Sequence, residues 1–215
     1  MDKMPEFKPS NMDERVKRAL AVKGRTHFSR TDWDFEDANW TLDEIIYKAA
    51  PPSLHGTNAG AALVKHATTG ALSDGRLITW TRASIITILI NVFFRNQAAD
   101  GTANFLNTYF TQLEETELKF YKRVAAGTTL LDTHAFTWNW AINTWYKLRH
   151  TWWSSVDRIY LRVERWNGDS WETLGGAADT DFEDTDDLWK DAAVNRTGVF
   201  YYDSRWIDDV EVWGR

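Results

Sequence analysis

RIYLRVERWNGDSWETL, residues 158–174, is the stretch that decides the fold. Ile159, Leu161 and Val163 alternate with Tyr160, Arg162 and Glu164, the two-residue period of a strand with one face in a core and the other in water. Asn167-Gly168 then supplies a pair that accepts positive φ, which predicts a tight hairpin turn into a returning strand.

Working outward from that hairpin, β-branched and aromatic residues recur between turn signals from residue 28 onward. Strands are predicted at 28–35, 61–66, 77–82, 85–95, 104–111, 116–124, 128–138, 144–153, 158–166, 198–202 and 206–213. Pro51-Pro52-Ser53 with His55-Gly56-Thr57-Asn58 reads as a loop, and 175–191 as a longer insertion rich in carboxylates. Residues 1–27 read differently. Asn11 with Glu14 has capping-box spacing, and Lys17, Arg18 and Lys23 suit the later turns of one short helix over 12–22 that stops at Gly24. The expected organisation is a basic helical arm (1–27) followed by one all-β, antiparallel two-sheet sandwich (28–215).

Composition narrows the function classes. The chain has 215 residues, no cysteine and 13 tryptophans, so it has no disulfides and an excess of large amphipathic side chains. Residues 1–30 carry eight Lys/Arg against four Asp/Glu, and the remainder seventeen against twenty-seven. An acidic body repels phosphate backbones, which argues against nucleic acid as a partner. No apolar run reaches membrane-spanning length, and the N-terminus lacks the apolar core of a signal peptide, so synthesis in the cytoplasm is expected.

Three groups of residues have a familiar order: Asp34-Phe35-Glu36-Asp37 with Trp40, then Asn143-Thr144-Trp145-Tyr146-Lys147-Leu148-Arg149, then Arg205-Trp206-Ile207-Asp208-Asp209-Val210-Glu211-Val212. Together they resemble the concanavalin-like jelly-roll superfamily, which includes laminin G-like, legume-lectin-like and carbohydrate-binding-module-like domains. The resemblance spans roughly residues 28–213 and implies a two-sheet jelly roll. It also implies that the first and last strands are neighbours, which would bring Asp34, Glu36 and Asp37 towards Asp208 and Asp209. Glu36, Asp208 and Asp209 are then the candidate ligands of a structural Ca2+, with solvated strand ends as the simpler explanation.

Glycanases of this fold place paired carboxylates on one strand as E-x-D-x-x-E or E-x-D-x-E, and no Glu here begins that pattern. Glu114, Glu115 and Glu117 come closest, but no Asp stands between them and Lys119 follows. No catalytic residue is therefore assigned. Trp138 and Trp140, two apart, share a face of a regular strand and form a candidate stacking platform, with Trp153 and Trp171 as further candidates for ligand contact. Trp152 and Trp153 must point in opposite directions. The acidic run Asp179, Asp181, Glu183, Asp184, Asp186, Asp187 and Asp191 reads as a solvated loop, although Phe182 and Leu188-Trp189 within it call for an anchor.

The expected function is a non-enzymatic binding and assembly protein. One setting is a virion, as a capsid decoration, turret or tail component made in the host cytoplasm. Its partners there would be other virion proteins, its own copies in a homo-oligomer, and cell-surface glycan. The alternative is a soluble carbohydrate-binding module, cytoplasmic or extracellular, and a third reading is a glycoside hydrolase with an unrecognised catalytic pair.

Overall fold

A computed structural model describes residues 33–35, 40–48, 53–56, 62–66, 73–85, 87–97, 107–125, 127–136, 140–174, 181–192, 195–201 and 204–214. The helical arm expected over 12–22, the domain boundary at 27, and Glu36, Asp37 and Trp138 lie outside the described residues. The strands are β1 (Trp33–Phe35), β2 (Trp40–Asp43), β3 (Ser53–Gly56), β4 (Ala62–His66), β5 (Gly75–Ala83), β6 (Ile88–Asn96), β7 (Asn107–Glu114) and β8 (Glu117–Val124). They continue with β9 (Gly127–Ala135), β10 (Tyr146–Ser155), β11 (Arg158–Trp166), β12 (Trp171–Thr173), β13 (Phe182–Asp184), β14 (Arg196–Tyr201) and β15 (Arg205–Gly214). All pairings are antiparallel, as in a jelly-roll sandwich. The first sheet runs β1-β4-β14-β6-β7-β8-β9, and the second β12-β11-β10-β5-β15-β3-β2 with β13 also on β11.

The predicted alternation is what joins the sheets. Tyr109, Leu113, Leu118 and Phe120 point inward from the first sheet, and Leu77, Leu148, Trp152, Ile159, Leu161 and Val163 from the second. Phe94 stacks on Tyr109, Phe120 and, across the sandwich, on Trp152 at 5.1 Å between centroids. Each such ring removes enough apolar surface from water to stabilise the fold by roughly 1.5–3 kcal/mol. Trp152 is fully buried while Trp153 projects from the opposite face, as adjacent strand residues must.

Three expectations need correction. The segment 53–56 is β3, paired between β2 and β15, with Leu54 fully buried; the prolines end before it and cost the ladder no donor. Within the acidic run, Phe182–Asp184 is a strand paired to β11. Among the described residues the first and last strands are not neighbours: β1 pairs with β4 in the first sheet, whereas β15 lies inside the second between β5 and β3.

The edges are guarded. β1, β2, β12 and β13 have three or four residues each. The long edge strand β9 has a register shift opposite Phe120/Tyr121, and Asp132 and His134 occupy inward positions opposite Phe120 and Leu118. Short edges, a bulge and inward charge all discourage strand addition by a second chain.

Candidate functional site

At one end of the sandwich, the turn between β10 and β11 meets the loop that follows β13. The turn is Val156-Asp157, both in the left-handed region with φ of 50° and 61°. Two such residues match the twist of a tight hairpin, although a β-branched side chain resists that conformation. In the loop, Asp187 and Trp189 are also left-handed, with φ of 40° and 61°. Asp157, Asp186, Asp187, Trp189, Lys190 and Asp191 line the open cleft between the two segments.

The loop is held from beneath by Arg95, itself left-handed at φ 51° and fully buried. Its guanidinium donates to Asp187 Oδ1 at 2.5 Å, the Leu188 carbonyl at 3.2 Å, the Ser73 carbonyl at 2.7 Å, Ser154 Oγ at 2.5 Å and Asp74 Oδ1 at 3.4 Å. One planar fork thereby ties together the start of β5, the end of β10 and the cleft loop. The Tyr109 hydroxyl donates to Asp184 Oδ2 at 2.6 Å and accepts the Leu188 N–H at 3.0 Å. Burial, and then the bond to Asp184, push the Tyr109 pKa well above the usual phenol range. Ser73 Oγ donates to the Lys190 carbonyl, while Ala192 N and Asn195 Nδ2 donate to the Trp189 carbonyl. Trp189 packs edge-on against Tyr109, with ring centroids 5.3 Å apart. A loop tied at so many points presents its side chains in a fixed arrangement.

From Asp181 to Asp187 the acidic run is therefore a pinned segment and not a solvated loop, while Asp191 is exposed and Asp179 lies outside the described residues. Asp181 pairs with Arg162, Glu183 with Arg158, Asp184 and Asp186 with Lys122, and Asp187 with Arg95. Phe182 is buried, and Leu188 and Trp189 pack against the core, which supplies the anchor the sequence called for.

Among the described residues, Trp140, Trp153 and Trp171, the tryptophans expected to contact ligand, do not share one surface. Trp140 is withdrawn into the core, its Nε1 donating to the Glu114 carbonyl and its ring set perpendicular to Tyr146. Trp153 and Trp171 both lie on the outer face of the second sheet. Trp153 stands opposite Tyr160 and Trp171 opposite Trp166, six residues further along β11, or roughly 20 Å. Trp153 is only 5% exposed, stacked on Tyr160 with the Arg162 guanidinium nearby. Arg149 covers Trp171 at 4.3 Å. The same face holds Trp80 between Lys48 and Lys147, and Trp206 between His55 and Arg82. These rings are already occupied by cations and neighbouring rings, whereas Trp189 lines an open cleft.

Of the candidate metal ligands, Asp208 and Asp209 are among the described residues. Asp208 is fully buried, and its two oxygens accept the backbone N–H groups of Lys48 and Asp209. Asp209 sits in a left-handed bulge of β15. No group of three or more His, Asp or Glu among the described residues could hold a metal ion, and Glu36, the third candidate ligand, lies outside those residues.

Sequence reasoning missed Arg95, Asp157 and Lys190. A lone Arg ending an apolar strand, and a Val-Asp turn without glycine, carry no local signal. Trp189 was visible only as an apolar residue out of place among acids.

No protein-family model matches the chain, and no curated protein matches it. Solved structures do match. The VIP36 exoplasmic/lumenal domain in its Ca2+/Man3GlcNAc-bound form is 10% identical, with 89% of this chain and 86% of that chain covered and a TM-score of 0.56. Its metal-free form is 10% identical over 86% and 85% of the two chains, at 0.51. A bifunctional GH43-CE protein of Bacteroides eggerthii is 10% identical, covering 90% of this chain and 26% of that one, at 0.54. Likeness at this level of identity shows the fold alone, a two-sheet antiparallel jelly-roll sandwich.

Proposed function

We propose that the protein is a non-catalytic, lectin-like module that binds glycan in the cleft between the Val156-Asp157 turn and the 185–192 loop. The observation that carries this is the fixed placement of half-buried Trp189 among carboxylates. An indole offers an apolar face to the C–H side of a sugar ring, and carboxylates accept hydrogen bonds from its hydroxyls. The loop is ordered by Arg95 and Tyr109 without ligand, so little further ordering is needed on binding. A fold shared with VIP36, solved with Man3GlcNAc, supports the reading by analogy only.

A glycan array probed with the wild type and with Trp189→Ala tests it. The wild type should retain one glycan class, and the variant should lose at least roughly tenfold in affinity while keeping its melting temperature. Absence of any bound glycan, or equal binding by the variant, overturns the proposal. Release of reducing ends from a bound oligosaccharide overturns its non-catalytic part.

The basic leader, set against an acidic body, supports a setting in which residues 1–27 attach the module to a virus or phage particle. Normal assembly of a chain lacking those residues would remove that setting and leave a soluble carbohydrate-binding module.

A further inference from the structure

Carboxylates dominate the cleft lining: Asp157, Asp186, Asp187 and Asp191 line it with Lys190, and while Lys122 pairs with Asp186 and Arg95 with Asp187, no ion pair among the described residues offsets Asp157 or Asp191. Acidity alone does not make a site, but Asp187 adds an independent observation. Its side chain is 5% exposed, and Arg95 and Ser154 hold Oδ1. The other oxygen, Oδ2, is buried and receives no hydrogen bond. A buried acceptor without a donor is costly, and a ligand that brings a donor removes that cost. The structure also shows which kind of donor stands there. Lys190 Nζ lies 3.6 Å from Oδ2, within ion-pair range and beyond good hydrogen-bond range, on a side chain 43% exposed and free to swing away.

We infer that the glycan taken by this cleft carries a protonated amine, an amino sugar whose ammonium displaces Lys190 and donates to Asp187 Oδ2. This rests on the glycan-binding reading above. The sugar ring would lie against Trp189 while Asp157 and Asp191, both exposed, add to the field at the mouth. The same field disfavours uronic and sialic acids.

The test compares two β-1,4-linked tetrasaccharides that differ only at the amine nitrogen, fully deacetylated glucosamine, which is cationic, and its neutral N-acetylated counterpart, with an oligogalacturonate as the anionic control. Binding to the full chain is titrated by calorimetry in mildly acidic, low-salt buffer. The deacetylated oligomer should bind roughly tenfold tighter than the acetylated one. That advantage should shrink in high salt and as pH rises through the sugar amine's pKa. Asp157→Asn should reduce it about threefold without disturbing the turn, because Asn accepts the left-handed conformation. Lys190→Ala should increase it by removing the internal competitor.

Equal affinity for the two oligomers, or tightest binding of oligogalacturonate, overturns the inference and leaves glycan binding standing. So does binding of another array glycan in preference to the deacetylated oligomer. Failure of the chain to bind any glycan removes both.

Discussion

Burying a guanidinium costs several kcal/mol unless every donor finds an acceptor, and Arg95 meets that condition with acceptors from two loops and the end of β10. Arg95→Met should destabilise the protein by roughly 3–5 kcal/mol, because it leaves the buried carboxylate of Asp187 without its cation. Urea denaturation measures this; a loss below about 1 kcal/mol would show that the loop is held by other means. His150 is the opposite case. It points into the core from β10, fully buried, with no hydrogen-bond partner for either ring nitrogen, and burial pushes its pKa from 6.5 down to about 3. Between those values the unfolded chain holds a proton that the folded one does not, so stability is full above about pH 6.5 and falls as pH is lowered towards 3. From pH 7 to about pH 5 the contribution is roughly 2 kcal/mol, and His150→Leu should flatten the slope by that amount. An unchanged slope in the variant would place the acid sensitivity elsewhere. Neither residue stands out in the sequence: an Arg at the end of an apolar strand and a His in the middle of another acquire their roles only from loops and strands far away in the chain.

Turns and strands divide into those with a local signature and those without. The alternation of β11 was legible because its period is set by the strand itself, and the observed bounds 158–166 agree with it. The Asn167-Gly168 turn was legible in place but not in form. It is a four-residue loop in which Asn167 N donates to the Ser170 carbonyl and Asn167 Oδ1 accepts the N–H groups of Asp169 and Ser170, with Gly168 at φ 110°. β13 was missed because the cations that hold it, Arg158, Arg162 and Lys122, belong to other strands. The two-residue turn Val156-Asp157 carries a residue its conformation disfavours, and Val156 is 82% exposed, so its side chain contributes little packing in return. Val156→Asn should therefore stabilise the protein by about 1 kcal/mol and raise its melting temperature by a few degrees. A lower melting temperature would mean that the valine makes a contact worth more than the backbone strain.

Across the described residues, seven of the 13 tryptophans of a chain without cysteine are put to three uses. Trp140 and Trp152 fill the core; Trp80, Trp153, Trp171 and Trp206 form a cation-covered layer on the second sheet; Trp189 stands at the cleft. Cation–π pairs of the second kind are worth roughly 0.5–1 kcal/mol each at exposed sites and more when desolvated, so a lattice of them helps to stabilise a sandwich without disulfides. Composition shows the excess of tryptophan but cannot divide it, since the division depends on which strands become neighbours. The pairing of β5 with β10 and β15 is what brings lysines and arginines over the rings, and the pinning of the loop after β13 is what leaves Trp189 beside open space. The most direct test of glycan binding at that cleft is to follow the indole N–H resonances of the full chain, labelled at tryptophan, as an oligosaccharide retained on the array is added. Binding there predicts a saturable shift at Trp189, abolished by Trp189→Ala, with Trp140 and Trp152 unmoved. Shifts confined to Trp80, Trp153 or Trp206 with Trp189 silent would move the ligand to the face of the second sheet and contradict the assignment.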